Sequence, residues 1–164
     1  DLHSFPTRRS SDLAILSFAI DDANYLMTFD SFDKAKEVGY GKFTDMAVNF
    51  EKLVEFVIDQ LPDDVIVYFL QHVEMTENGK YKAKTLGKML DNQLTLEGLF
   101  SVVLFCCADE SHHYFMTQSM GISTAKAPED MFDSDEIDND LKAVDKAIRN
   151  YWGLTPNDKE REDK

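Results

Sequence analysis

Cysteine is nearly absent from this chain of 164 residues: it has two, Cys106 and Cys107, side by side in an apolar run. Neighbouring cysteines on one strand make no disulfide framework, which points to a reduced, cytosolic setting. No apolar stretch approaches the length of a membrane span, and residues 1–13 lack the apolar run of a secretory signal. There is no internal repeat. Positive charge is scarce: 17 Lys and Arg stand against 31 Asp and Glu, a formal net charge of −14. Such acidity repels phosphate backbones, so a nucleic-acid contact requires a local basic patch. The phosphate-binding pattern G-x-x-x-x-G-K-[ST] is missing as well, and "VGYGKFTD" (38–45) lacks both its six-residue frame and a preceding strand.

Residues 1–13, "DLHSFPTRRSSDL", have neither hydrophobic period. The string resembles the conceptual translation of a short-read sequencing adaptor and is set apart from fold reasoning. On that reading the natural protein begins upstream. Arg8 and Arg9 cancel Asp1 and Asp12, so the charge of −14 belongs to the remainder. At the other end, "TPNDKEREDK" (155–164) is charged and without apolar residues, the composition of a frayed tail. Residues 14–153 suit one domain, or the larger part of one, with 154–164 as its tail.

What is present is a run of buried-looking strands with polar ends. "AILSFAI" (14–20) is short and nearly all apolar, as in a strand covered on both faces. "DDANYLMTFDSFDKAKEVG" (21–39) reads as a helix with Tyr25, Phe29 and Phe32 on one side and Gly39 at its end. Apolar residues from Phe43 to Leu61 recur at helical spacing until Pro62. "DVIVYFLQH" (64–72) is a second buried strand. The Asn-Gly of "ENGKYKAKT" (77–85) marks a hairpin. "LFSVVLFCC" (99–107) and "HYFMTQS" (113–119) read as strands paired across "ADESH", and "DNDLKAVDKAIRNYWG" (138–153) as a capped helix. The order indicates α/β, a parallel core extended by antiparallel strands.

Two strand ends carry the candidate chemistry. The first delivers Asp21 and Asp22 at its C-terminal edge, where ligands of open α/β sheets collect. Carboxylates there suit a Mg²⁺ shell beside phosphates and water. The competing reading is helix capping by the same aspartates. The second strand places Gln71 and His72 at the corresponding edge, where polar donors sense a terminal phosphate and report its loss; the competing reading is a solvated strand end.

The ordered motifs "FAIDDANYLM", "VIVYFLQHVEMTENGKYKAKTLGKMLDNQLTLEGLFSVVLF", "YFMTQSMGISTAKAPEDMF" and "IDNDLKAVDKAIRNYW" resemble the C-terminal part of phage-encoded, RecA-like P-loop ATPases of the AAA type, implicated in single-strand annealing or recombination. The resemblance covers about residues 14–152. It implies a RecA-like core lacking its N-terminal phosphate-loop unit, ATP and Mg²⁺ as cofactors, and a homo-oligomer with nucleotide between subunits in the host cytoplasm. It further implies Walker-B roles for Asp21 and Asp22, a sensor role for His72 with Gln71, and for Lys126 in "STAKAPEDMF" a finger extended to a neighbour's nucleotide. The bland reading of Lys126 is a solvated loop lysine. Without a phosphate cradle, the chain as written is expected to bind nucleotide poorly and to turn over none.

Lys80, Lys82, Lys84 and Lys88 are the candidate contacts for single-stranded DNA, the first three sharing one strand face and Tyr81 lying on the other. Lysines protecting an edge strand explain the same pattern. His112 and His113 with Asp109 and Glu110 fit a turn better than a metal site, since adjacent strand side chains diverge. "DSDEIDND" (133–140) resembles a calcium loop in acidity alone. The rival to the ATPase is a non-enzymatic α/β interaction module, with the aspartates as caps and the lysine hairpin binding a partner.

Overall fold

The computed structural model describes residues 17–39, 41–86 and 95–154. Residues 1–16, Lys88 and the 155–164 tail lie outside them. Within them the protein is mixed α/β, with small parallel and antiparallel sheets and three helices.

Strand β1 (Ser17–Ile20) lies parallel to β2 (Ile66–Phe69), in the register Ser17 to Ile66 and Ile20 to Phe69. Parallel neighbours need a crossover, and two helices supply it. Helix α1 (Asn24–Asp33) stops sooner than the 21–39 pattern implies, at Lys34, and Gly39 follows at φ 107° beyond an intervening turn. Its sides also sort unexpectedly. Ala23 and Met27 are buried, whereas Tyr25, Phe29 and Phe32 face outward. Helix α2 (Gly41–Gln60) follows its apolar period closely, burying Met46, Ala47, Phe50 and Val54, and ends before Pro62.

The Asn-Gly hairpin forms as its sequence requires. β3 (Val73–Met75) pairs antiparallel with β4 (Tyr81–Ala83), and Gly79 takes φ 75° in the turn. A 3₁₀ turn (Leu96–Leu99) then leads into the "SVVLFCC" run. Only its end is a strand: β5 (Phe105–Ala108) pairs with β6 (His113–Met116), and β6 with β7 (Glu136–Asp138). Upstream of β5, Val103 makes a single antiparallel bridge to Lys126. The acidic segment read as a calcium-loop lookalike supplies β7. Helix α3 (Leu141–Trp152) is closed at both ends as expected: Asp140 accepts from the amides of Lys142 and Ala143, and Gly153 adopts φ 66°.

The core has two parts. On one side Ala23, Met27, Met46, Phe50 and Leu96 pack against Phe69 and Phe100. On the other, Val144 and Ile148 of α3 and Met131 pack against Ile66, Tyr68, Val102 and Leu104. Strand β2 therefore separates two layers, as in a three-layer α/β arrangement. Arg149, only 8% exposed, fastens α3 beneath the parallel pair. It donates to the Asp64 carbonyl, to Ser17 Oγ and, at 2.5 Å, to Asp145 Oδ2. Asp145 also accepts from Ser17 Oγ and from the Tyr68 hydroxyl at 3.1 Å.

Among the described residues no helix is long and apolar enough to cross a membrane.

Candidate functional site

Both polar strand ends come together. The β1–β2 ladder continues past its last paired residues: Leu70 donates to the Ile20 carbonyl, and Ala23 donates to that of Leu70. These bonds hold Asp21–Asp22 beside Gln71–His72 at the C-terminal edge of the parallel pair. His72 Nε2 lies 2.9 Å from Asp22 Oδ1, each side chain about half exposed. Asp22 takes φ 50°, a left-handed conformation that Asp tolerates better than bulkier residues. The turn thereby aims its carboxylate across the strand gap and not along the helix axis.

The capping alternative can now be compared with the observed bonds. Helix α1 has Ala23 at its N-cap and no side-chain capping bond. Asp21 Oδ1 instead accepts the Asp22 amide at 3.0 Å. Neither aspartate caps the helix.

Three further groups fix His72. Its amide donates to Asn24 Oδ1 at 3.3 Å, and its carbonyl accepts from the Lys84 amide at 2.8 Å. The ring of Tyr25 meets it edge-on, with centroids 6.0 Å apart. Gln71 turns away from the aspartates: Nε2 donates to the Lys84 carbonyl at 2.8 Å, while Oε1 is buried without a partner among the described residues. Asn24 and Tyr25 were not distinguished as site residues in the sequence: Tyr25 was grouped with Phe29 and Phe32 on one side of the helix, and Asn24 carries no local signal of its partner.

Lys126 is placed elsewhere, in the bridge with Val103, and no contact among the described residues joins it to Asp22 or His72. The lysine hairpin is partly neutralised. Lys82 Nζ sits 3.0 Å from Glu74 Oε1 across the β3–β4 pair, while Lys80 and Lys84 are exposed. Tyr81 stacks on Phe105 with centroids 5.2 Å apart, which occupies the ring that base stacking would use. The hairpin's outer edge is covered too, the Tyr81 amide bonding to the Ile122 carbonyl and that of Ala83 to Glu97 Oε1.

The "ADESH" segment is a turn closed by Asp109, whose Oδ1 accepts from the Ser111 and His112 amides at 2.7 and 2.9 Å. The bonds from Ser111, joined by the His112 amide, hold its carboxyl well below the usual carboxylate range. No group of three or more His, Cys, Asp or Glu among the described residues is arranged to hold a metal. A Mg²⁺ held through water needs less. Asp21 is exposed, and its hard oxygens suit that ion without a closed cage.

The comparisons with known proteins return no relative: no family model, no curated protein and no solved structure matches the chain.

Proposed function

We propose that this chain is the later part of a RecA-like P-loop ATPase acting in phage DNA recombination or single-strand annealing, and that residues 1–13 are foreign to it. The observation that carries the reading is the 2.9 Å contact between Asp22 and His72 at the C-terminal ends of adjacent parallel strands. That edge is where open α/β sheets gather ligands. The contact also gives a phosphate-sensing residue a direct connection to the carboxylate that polarises water.

In this reading Asp21 would hold the Mg²⁺ shell, and the ion would supply charge neutralisation on the phosphates. Asp22 accepts a proton or hydrogen bond from the attacking water. His72 competes for the same oxygen, so its position reports whether the site is engaged. Its backbone transmits that position, because its carbonyl is bonded to Lys84 of the hairpin. Gln71 anchors the same hairpin through the Lys84 carbonyl. Lys126 serves a neighbouring copy, and Lys80, Lys84 and the part-neutralised Lys82, with Lys88, meet single-stranded DNA.

The phosphate cradle must come from sequence upstream, so the test is made on the protein encoded by the complete natural locus. Wild type is expected to hydrolyse ATP, and Asp21→Ala to abolish turnover while leaving the thermal midpoint nearly unchanged. Turnover retained in that variant removes the Walker-B assignment.

One observation favours the second reading, a non-enzymatic interaction module: the outward aromatic side of α1, with Phe29 60% and Phe32 69% exposed. A locus that lacks any phosphate loop would make that module the better account.

A further inference from the structure

One oxygen of Glu97 receives hydrogen bonds from two distant parts of the chain. The Ala83 amide reaches Oε1 at 2.8 Å and the Thr124 hydroxyl at 3.0 Å. The first donor belongs to the lysine hairpin, the second to the segment that carries Lys126.

The support beneath Glu97 is rigid. It sits on the 3₁₀ turn, whose Leu96 is 4% exposed in the core that also holds Ala23, Met27 and Phe50. Leu99 packs against the same core, and the Gly98 amide closes the turn on the Thr95 carbonyl at 2.8 Å. Glu97 is left half-buried between residues that cannot shift without disturbing that core. A side chain on such a base positions its partners more accurately than one on a free loop.

One edge of β4 is paired with β3. Along the other, the Tyr81 amide meets the Ile122 carbonyl, and two residues on the Ala83 amide meets Glu97. Two residues is the interval at which a strand returns its amides to the same edge. The carboxylate therefore supplies the acceptor that a neighbouring strand would otherwise supply, and binds Thr124 by its hydroxyl. Lys126 lies two residues further, and its backbone exchanges both bonds with Val103, at 2.8 and 2.9 Å. Ala125, between them, is 4% exposed. The chain is thus held on both sides of the point from which the Lys126 side chain leaves. Lys126 is half-buried and forms no ion pair among the described residues, in a chain with 31 Asp and Glu. An ammonium kept free of carboxylates suits phosphate oxygens.

We infer that Glu97 is a positioning residue, which fixes the Thr124–Lys126 segment against the hairpin and so sets the reach of Lys126 toward a neighbouring copy's nucleotide. This rests on the proposed ATPase reading and names what aligns its lysine. Glu97 acts here by an acceptor oxygen and not by its charge, since both of its partners are neutral donors.

The test uses the locus-complete protein. Glu97→Ala is expected to lower ATP turnover by about tenfold or more, to the level of Lys126→Ala, while Glu97→Gln, which keeps the oxygen, stays within about threefold of wild type. Mixing decides the assignment, because the lysine serves the next subunit's site. Glu97→Ala has an intact Asp21, and Asp21→Ala has an intact Glu97 and Lys126. Their equal mixture is expected to recover about a quarter of wild-type turnover, since about one interface in four then joins two intact halves. Glu97→Ala mixed with Lys126→Ala is expected to recover nothing, as both lack the same half. Thr124→Val removes the same bond from its other end and is carried through the same mixtures, so misfolding of Glu97→Ala does not decide the result. Recovery with Lys126→Ala, or none with Asp21→Ala, overturns the assignment, and so does a Glu97→Gln variant as inactive as Glu97→Ala. Those outcomes leave the ATPase standing. A wild type without turnover overturns the ATPase reading and the role of Glu97 with it.

Discussion

His72 Nε2 stands 2.9 Å from Asp22 Oδ1 across two parallel strand ends, with both side chains about half exposed. A polar contact so exposed contributes at most on the order of 1 kcal/mol to stability, since water competes for both partners. Holding Asp22 at φ 50° works against that gain. The arrangement is better explained by what it positions than by what it stabilises. Asp22→Asn keeps a residue that tolerates the left-handed conformation and removes only the charge. It and His72→Ala are each expected to shift the unfolding free energy of this chain by less than about 1 kcal/mol. In the locus-complete protein each lowers ATP turnover by about tenfold or more, and the double variant costs little beyond either alone. Additive losses would mean that the two side chains act independently.

The Asp145–Arg149 pair makes the opposite prediction. Arg149 is 8% exposed and tied to three groups, so truncating it strands a carboxylate beneath β1. Arg149→Met is expected to cost about 3 kcal/mol in chemical denaturation. Burial pushes the Asp145 carboxyl up, but the Ser17 and Arg149 hydrogen bonds and the guanidinium charge outweigh it and leave it below its ordinary value. A lowered acid gives stability that is present above its unfolded pKa of about 3.9 and is lost as pH falls through the folded value. Asp145→Asn should flatten that acid limb. Tyr68 has the reverse sign: burial, then the Asp145 charge, raise its phenol far above the usual range. Its contribution holds below the ordinary phenol pKa of about 10 and is lost as pH rises above that. Tyr68→Phe removes the alkaline loss and only reduces the acid limb, because it deletes one of the hydrogen bonds that lower Asp145 and leaves those from Ser17 and Arg149.

Local signals in the sequence identified the elements well. Pro62 ends α2, Asn78–Gly79 turns the hairpin, and Asp140 and Gly153 close α3 where their chemistry requires. Each depends on a few neighbouring residues and survives whatever surrounds it. The strand ends were legible as well, since apolar runs closing in "DD" and "QH" place polar groups at a sheet edge. Less legible was anything decided by tertiary partners. The 3.6-residue period of α1 groups Tyr25, Phe29 and Phe32, but only packing determines that Met27 faces inward in their place. The 99–107 run has the composition of a strand, but among the described residues its first half is bridged only at Val103, to Lys126. Asn24 carries no local signal of its partner, yet it accepts from the His72 amide just past β2. The Ser17–Asp145 bond joins residues 128 apart, and no local pattern announces it.

That outward side of α1 carries its own prediction. Tyr25 and Phe29 are 6.1 Å apart, and Phe32 extends the row at helical spacing. Three exposed aromatics in line form an apolar patch of the kind that subunits cover. Phe29→Ser with Phe32→Ser removes little buried area, so the thermal midpoint should hardly move. Self-association of the locus-complete protein, followed by sedimentation velocity, should weaken by about tenfold or more, consistent with a loss of at least 1.4 kcal/mol. An unchanged association state would remove this patch as a subunit contact.

The lysine hairpin predicts a salt dependence that differs among its lysines. Lys80 and Lys84 are exposed, whereas Lys82 already faces Glu74 at 3.0 Å. Each phosphate neutralised on a single strand adds about 0.7 to the slope of log affinity against log salt. Lys80→Ala with Lys84→Ala in the locus-complete protein should therefore weaken binding to an oligothymidylate and lower that slope by about 1.4. Lys82→Ala should lower the slope less, because a lysine already paired with Glu74 has less charge to offer a phosphate. Tyr81→Ala separates contact from folding: its ring rests on Phe105, so the loss should appear in stability and not in the salt slope. A slope unmoved by the double lysine variant would remove the hairpin as a contact for single-stranded DNA.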